Sequence, residues 1–291
     1  MTDLQLWLSA AEIGCFFSLI ALSYLLIVVG AGFFNFALGP YAMVGGLATS
    51  WFVVIKEMSL WPSIVLALLI VVALSAVTEL VVVRPVQRRA GRGDLPALVA
   101  VAAVLFAVQQ AAGLVFGRTS LPGQQIVTFD PIEIGDAFLL PNALLLMATT
   151  VVVFVVVALW VRLSRTGRLL RAVGDNLDAA RVLGLPVGRI RLIAFLVGGL
   201  IAGIAGILFA TKSGVASTSG LSWTLTGFLA LVIGGTGRIW APLVGGLVLG
   251  CVQVFTPYYS SDITPQTVIL VLALLFFALK PEGLFVRRVR A

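Results

Sequence analysis

Histidine is absent from this 291-residue chain, which has only two cysteines, three lysines and 11% charged residues. Without histidine the chain lacks the side chain that most often acts as general base, proton relay or metal ligand. Cys15 and Cys251 both lie inside apolar runs, so we expect neither a disulfide framework nor a metal cluster. No Lys or Arg precedes the first apolar run, as a cleaved secretory signal would require, and we expect that run to be retained.

Apolar residues dominate the composition instead. They make up 60% of the chain, and the mean hydropathy is +1.14, whereas soluble domains carry about 25% charged residues. A bilayer core about 30 Å thick accepts helical runs of roughly 20 such residues. We therefore expect an all-α polytopic membrane protein, a single transmembrane domain over 1–291 with about eight to ten transmembrane helices. Nine apolar runs can be drawn, at 13–33, 37–55, 64–83, 97–116, 143–161, 192–210, 223–237, 242–255 and 268–279.

The positions of Lys and Arg predict the orientation, because basic loops remain cytoplasmic. With the N-terminus outside and the C-terminus in the cytoplasm, sixteen of the nineteen basic residues fall in inner loops. These are Arg84, Arg88, Arg89, Arg92, Arg162, Arg165, Arg168, Arg171, Arg181, Arg189, Arg191, Arg238, Lys280, Arg287, Arg288 and Arg290. Lys56, Arg118 and Lys212 remain outside, as does an acidic stretch at 117–141. The net charge of +7 forms no basic face interleaved with aromatics, so we expect no nucleic-acid partner.

The inner loop at 162–191 is the longest predicted cytoplasmic segment. Its pattern predicts a helix over 168–183, with Gly184 placed for the positive φ of a helix C-terminus and Pro186 as a stop. Two oppositely charged pairs at helical spacing support it: Arg171 with Asp175, and Asp178 with Arg181. The same helix carries an apolar stripe of Leu170, Val173 and Leu177, which we expect to face a protein partner.

An interruption between the first two runs draws attention to residues 35–40. Asn35, Gly39 and Pro40 break helical hydrogen bonding, which a membrane tolerates only beside protein or a water-lined cavity. We favour a break that lines a transport pathway over a plain turn. The candidate pathway residues are Asn35, Phe36, Gly39, Pro40, Gly45, Gln109, Gly234 and Gly235. No ionisable residue lies clearly at mid-membrane, and Glu79 is placed near a cytoplasmic end.

A parallel internal repeat is a further possibility. The second run begins GPYAMVGG at 39–46 and the eighth APLVGG at 241–246. The third run leaves the membrane as VVVRPVQRR and the ninth as FALKPEGLFVRR. Recurrence of small packing residues and a boundary proline would produce the same likeness without a repeat.

Motifs along the whole chain resemble those of one transport family. Asp178-Ala179-Ala180-x-x-x-Gly184 is similar to the EAA-x-x-x-G loop by which ABC importer permeases dock into their ATPase. GFFNFALGPYAMVGG at 32–46 resembles a signature of the permeases of branched-chain amino-acid importers, the LivH type. So do TELVVVRPVQR (78–88), RLSRTGRLLRAVGDN (162–176), VIGGTGRIWAPLVGGLVLG (232–250) and KPEGLF (280–285). Leu38 stands where that family often has His, and Asp178 replaces Glu.

The resemblance implies a bacterial inner-membrane permease that carries branched-chain or other small amino acids, or related amides or urea. It also implies four kinds of partner: cytoplasmic ATP-binding subunits, a second permease subunit, an external solute-binding protein and membrane lipid. The coupling residues it implies are Arg171, Asp175, Asp178, Ala179, Ala180, Arg181 and Gly184. No lysine lies in a Gly-Lys-Ser/Thr motif, so ATP would be bound by the partner, and we expect no cofactor, metal or enzymatic activity in this chain.

Two other classes remain open. An ion-coupled secondary transporter or channel for small neutral solutes would follow a proton or sodium gradient and would work without an ATPase. An intramembrane enzyme would need paired carboxylates, or a serine with a base, inside the spans.

Overall fold

The computed structural model describes residues 3–89, 94–135, 137–259 and 264–279. In this part of the chain almost all regular structure is helical, and the nine apolar runs all fall on helices. The order begins with α1 (Asp3–Ala31), α2 (Leu38–Val54), α3 (Leu60–Val77), α4 (Arg84–Arg89), α5 (Asp94–Val115) and α6 (Pro141–Leu163). It continues with α7 (Arg165–Asp175), α8 (Leu177–Val182), α9 (Val187–Ser213), α10 (Ser219–Gly234), α11 (Ala241–Tyr259) and α12 (Pro265–Leu279).

Six helical stretches in these ranges are long and apolar enough to cross a membrane. One of them is the continuous rod at 60–89, in which a π-helical segment, Thr78–Val83, joins α3 to α4. Three other apolar helices are shorter: α2 with 17 residues, α10 with 16 and α12 with 15. The expected polytopic all-α fold is confirmed.

The central helix of the bundle is α1. In its most apolar window of 18 residues, 83% are buried, against 22% in α5. Around α1 lie α9, α10 and α11, and α2 packs between α9 and α10. The peripheral helices expose apolar side chains such as Trp61, Val99 and Val152, the surface that a membrane protein presents to lipid or to other spans.

The two long loops lie at opposite ends of α1. Near its start, the Gln5 side chain accepts a hydrogen bond from the backbone N–H of Phe138, in the hairpin of β1 (Ile132–Ile134) and β2 (Ala137–Leu139). Near its end, Gly30 contacts Leu170 of α7. With 29 residues, α1 is about 44 Å long. The loops at 117–140 and 162–191 are therefore separated by more than the thickness of a bilayer core.

Both motifs of the possible repeat begin a helix, α2 in one copy and α11 in the other. Leu243, in the first turn of α11, accepts a hydrogen bond from Ser18, which lies midway along α1. Hence α11 starts inside the bundle and not at its end. The ninth-run exit motif lies outside the described residues from Lys280 onward. Arg92, Asp136 and the basic residues after Lys280 also lie outside them. The repeat stays a prediction.

Candidate functional site

The segment between α6 and α9 forms two short helices and not the single helix predicted over 168–183. The chain breaks at Asn176, whose φ of −157° and ψ of 103° are extended. Its side chain accepts a hydrogen bond from the backbone N–H of Ala179 at 2.9 Å and so caps α8. At the other end, Gly184 has φ +72°, which confirms the predicted helix C-terminus.

The apolar stripe of this segment faces inward, contrary to expectation. Leu170 and Val173 are buried, and Leu177 packs against the same core. Gly174 lies against α1, since a Cβ there would be 2.6 Å from Cγ1 of Val29. The stripe therefore packs α7 onto the bundle, because the end of α1 contacts it at Leu170. It is not available to a partner.

Two other apolar residues take the outward position, at the tip of α8. Val182 is 88% exposed and Leu183 is 77% exposed. The sequence did not indicate these two residues, because they come after the predicted stripe and do not continue its helical spacing. Of the predicted coupling residues, Arg171, Asp175, Ala179, Arg181 and Gly184 are exposed and Ala180 is buried. Asp178 lies in α8, and its side chain is outside the described part of the structure.

A buried ion pair lies where α9 begins. The Arg191 Nε atom donates to Oε1 of Glu79 at 2.7 Å, and no part of the Glu79 side chain is exposed. Arg84 approaches the second carboxylate oxygen at 3.4 Å, and Arg191 also donates to the side-chain oxygen of Gln87. These contacts join α9 to the rod at 60–89. Breaking such a buried pair leaves an uncompensated charge, so the pair holds both elements in place.

The interrupted segment at 32–37 runs through the protein interior. Gly32 lies beside Leu177 at the coupling end, with φ +82°. Four residues later, the carbonyl oxygen of Phe36 accepts a hydrogen bond from the Thr224 hydroxyl, in the second turn of α10. The α10 helix starts at the opposite end, because the nearby Val215 pairs with Leu121 of the other long loop. The backbone at 32–37 is thus non-helical within the bundle, where protein contacts satisfy it.

Several polar atoms in this region lack hydrogen bonds. Asn35 is fully buried; its Oδ1 accepts from the backbone N–H of Ala37 at 3.0 Å, but its Nδ2 has no partner. The Tyr41 hydroxyl lies near Asn35 and Thr78 without a well-formed hydrogen bond. In another helix, α5, the buried Oε1 of Gln109 is also unpaired. An unsatisfied buried group costs about 1–3 kcal/mol. Buried polar groups without a partner are uncommon in proteins.

The predicted pathway glycines lie at close helix contacts. A Cβ on Gly45 would be 2.8 Å from the carbonyl oxygen of Gly203 in α9, and Gly39 lies against Gly220 and Thr224 of α10. Pro40 also contacts Gly220. Gly234 contacts Ala241 at the start of α11, and Gly235 has φ +87°. Small residues here let α2, α9, α10 and α11 approach closely, as lipid-embedded helices require.

No group of three or more His, Cys, Asp or Glu side chains within the described ranges is arranged to hold a metal ion. The described chemistry of the chain consists of backbone breaks, small-residue contacts and charged residues at the two ends of the bundle, among them the ion pair of Lys212 with Glu12 at the end opposite α7.

Comparison with known proteins identifies the family. The family model for "Branched-chain amino acid transport system / permease component" matches residues 8–279. The high-affinity branched-chain amino acid transport system permease protein LivH of Salmonella typhimurium is 28% identical over 305 residues, which cover 98% of this chain and 96% of LivH.

Two further relatives agree. The permease BraD of Pseudomonas aeruginosa is 26% identical, with 98% of this chain and 96% of BraD covered. A probable LivH of Methanocaldococcus jannaschii is 25% identical, over 84% of this chain and 78% of that protein. The apolar helices, the non-helical break at 32–37 and these full-length matches lead to one conclusion: the chain is a multi-pass inner-membrane protein that belongs to the branched-chain amino acid transport system permease family.

Proposed function

We propose that the chain is the permease subunit of an ABC importer for branched-chain or other small amino acids. It would pair with a second permease and be driven by cytoplasmic ATP-binding subunits, while an external solute-binding protein delivers the solute. ATP would be bound by the partner, and the permease would have no catalytic site of its own. The related proteins named LivH and BraD support the solute class.

The observation that carries this proposal is the exposed apolar tip of α8. Val182 and Leu183 project from a short helix that is capped at both ends and anchored through α7. Large apolar residues that are exposed on a firmly anchored helix are typical of protein–protein contacts. The predicted coupling residues lie in α7 and α8 or directly after this tip: Arg171, Asp175, Asp178, Ala179, Ala180, Arg181 and Gly184. We infer that it enters the ATPase.

A chain of contacts would carry the movement of the ATPase to the transport path. The α8 helix leads through Pro186 into α9, whose Arg191 is paired to Glu79. Glu79 follows Thr78, which lies near Tyr41 of α2, and Tyr41 in turn lies near Asn35 of the interrupted segment. A displacement of α8 would therefore reach the non-helical segment through packed and ion-paired groups. Such continuous contacts are the physical means by which distant sites couple.

The path itself would lie beside the interrupted segment at 32–37. The unpaired Asn35 Nδ2 and Gln109 Oε1 supply polar contacts along it. The candidates Phe36, Gly39, Pro40, Gly45, Gly234 and Gly235 would shape it by setting how closely α2, α10 and α11 approach. A path with few charges suits neutral or zwitterionic solutes, because charged side chains in a membrane favour ion conduction or ion coupling.

Replacement of Leu183 tests the docking surface. In the purified complex, Leu183→Ser is expected to lower solute-stimulated ATPase activity about fivefold or more, since loss of a contact residue costs about 1 kcal/mol or more. Leu163→Ser is the matched control, because Leu163 is 70% exposed at the end of α6. Equal activities in the two variants, with equal amounts of bound ATPase, would contradict the docking assignment.

A further inference from the structure

An arginine-lined cavity lies at the coupling end of the bundle, between the rod at 60–89 and the start of α9. Its volume is about 450 Å³. All the charged residues that line it are arginines, joined by one amide and a few backbone and apolar groups. The charged and amide members are Arg84, Arg88, Arg181, Arg189, Arg191 and Gln87.

The charges in this cavity are only partly neutralised. Glu79 lies behind the wall, fully buried, and pairs with Arg191 and Arg84. Arg84 also donates to the carbonyl oxygen of Gly188. Arg88 and Arg189 are exposed, and neither guanidinium group has an ion pair or a hydrogen bond among the described residues. The cavity therefore presents several guanidinium groups, which bind phosphate oxygens through paired hydrogen bonds.

The helix that carries Arg84 and Arg88 has an apolar face next to the cavity. Val77 is 50% exposed, Leu80 is 41% exposed and Val81 is 64% exposed. These residues precede Arg84 by one to two turns on the same rod, on the side toward the membrane interior. A free phosphate would use only the arginines, whereas a phospholipid would use the arginines for its headgroup and the apolar strip for its acyl chains.

We propose that this cavity binds the phosphate headgroup of an anionic phospholipid in the leaflet next to the coupling segment. The arginines hold the phosphate, and the strip of Val77, Leu80 and Val81 receives an acyl chain. Basic groups near a membrane surface attract anionic lipid by about 1 kcal/mol each. A lipid bound here contacts Arg181 of α8 and the first turn of α9, so it stiffens the junction between them.

Native mass spectrometry of the purified full-length chain in detergent tests the proposal. The probes are phosphatidylglycerol, phosphatidylcholine of the same acyl chains, and glycerol 3-phosphate, which has the headgroup phosphate without chains. We expect retention of one phosphatidylglycerol per chain, in preference to phosphatidylcholine, and no retention of glycerol 3-phosphate. Equal retention of both lipids, or retention of glycerol 3-phosphate, would overturn the proposal.

Two variants localise the binding. Arg88→Gln with Arg189→Gln is expected to weaken phosphatidylglycerol binding about fivefold per arginine. Gly188→Leu keeps every charge but fills the cavity, since the position is open apart from Nη2 of Arg84, 3.8 Å from where a Cβ would lie. It is expected to prevent binding as well.

The matched control is Arg162→Gln with Arg165→Gln, which removes two exposed arginines of the same loop outside the cavity. An equal loss of lipid in this control would show diffuse attraction and overturn the site. Unchanged lipid binding in Gly188→Leu would do the same. If the arginine variants bind lipid normally but fail to bind the ATPase, the cavity serves an acidic group of that partner and the lipid proposal is wrong.

Discussion

At the scale of single residues, a buried ion pair joins Glu79 of the rod at 60–89 to Arg191 of α9. The two residues are 112 positions apart and lie in different helices. No local pattern joins two such residues. The pair becomes evident only when α9 and the rod at 60–89 pack side by side.

Replacement of Glu79 tests the pair. Glu79→Gln is expected to reduce the free energy of unfolding by about 3–5 kcal/mol, because Arg191 then stays buried without its carboxylate. The double variant with Arg191→Gln is expected to be less destabilised than the sum of the two single variants, by about 0.5–3 kcal/mol. Thermal unfolding in detergent measures both. Additive effects would show that the two side chains do not interact.

Gly45 gives a second test at this scale. Gly45→Ala is expected to leave the protein about 1–3 kcal/mol less stable than Gly113→Ala, because the added methyl group meets the backbone of Gly203. The comparison is matched, since Gly113 also lies in a helix and a Cβ there would be 3.5 Å from its nearest neighbour, Ser217 Oγ. Equal melting temperatures would mean that α2 and α9 do not pack this closely.

At the scale of elements, the coupling segment was predicted in part. Gly184 and Pro186 predict the end of the helix from local sequence alone. Glycine readily adopts positive φ, and proline has no backbone N–H to continue a helix. The break at Asn176 was missed, since the charge pairs Arg171–Asp175 and Asp178–Arg181 fit one continuous helix equally well. Which apolar residues face inward was also missed, because that depends on where α1 ends.

The cap at Asn176 provides the test for α8. Asn176→Ala is expected to destabilise the short helix by about 0.5–2 kcal/mol and to lower solute-stimulated ATPase activity of the complex. Asn176→Asp keeps an oxygen that accepts from Ala179 N–H and is expected to retain activity. Loss of activity in both variants, or in neither, would show that the cap does not support coupling.

The sequence predicts the short helices α2 and α10 as apolar runs. It does not predict how deep inside the bundle they begin. Residues 37–55 and 223–237 are two of the nine predicted apolar runs, and the structure makes them helices of 17 and 16 residues. Asn35, Gly39 and Pro40 together indicate that the helix breaks in this part of the sequence. Only the hydrogen bond from the Thr224 hydroxyl to the carbonyl oxygen of Phe36 shows that the break lies inside the bundle.

At the scale of the whole molecule, the separation of the two long loops leads to a topology prediction. Val182→Cys is expected to react with a membrane-impermeant maleimide in inside-out vesicles only, and Thr119→Cys in spheroplasts only. The parent chain is the control, since its own cysteines lie in membrane helices, Cys15 buried and Cys251 half-buried. Labelling of both sites from one side would contradict the loop arrangement.

ATP-driven uptake tests the central claim most directly. The permease is purified with its partner subunits, reconstituted in vesicles, and supplied with ATP on the side that carries α8 and with branched-chain amino acid plus binding protein on the other. We expect accumulation of the solute that requires ATP, persists when ion gradients are dissipated, and is lost in the Leu183→Ser complex. Accumulation that follows a proton or sodium gradient and continues without the ATPase subunits would contradict the account.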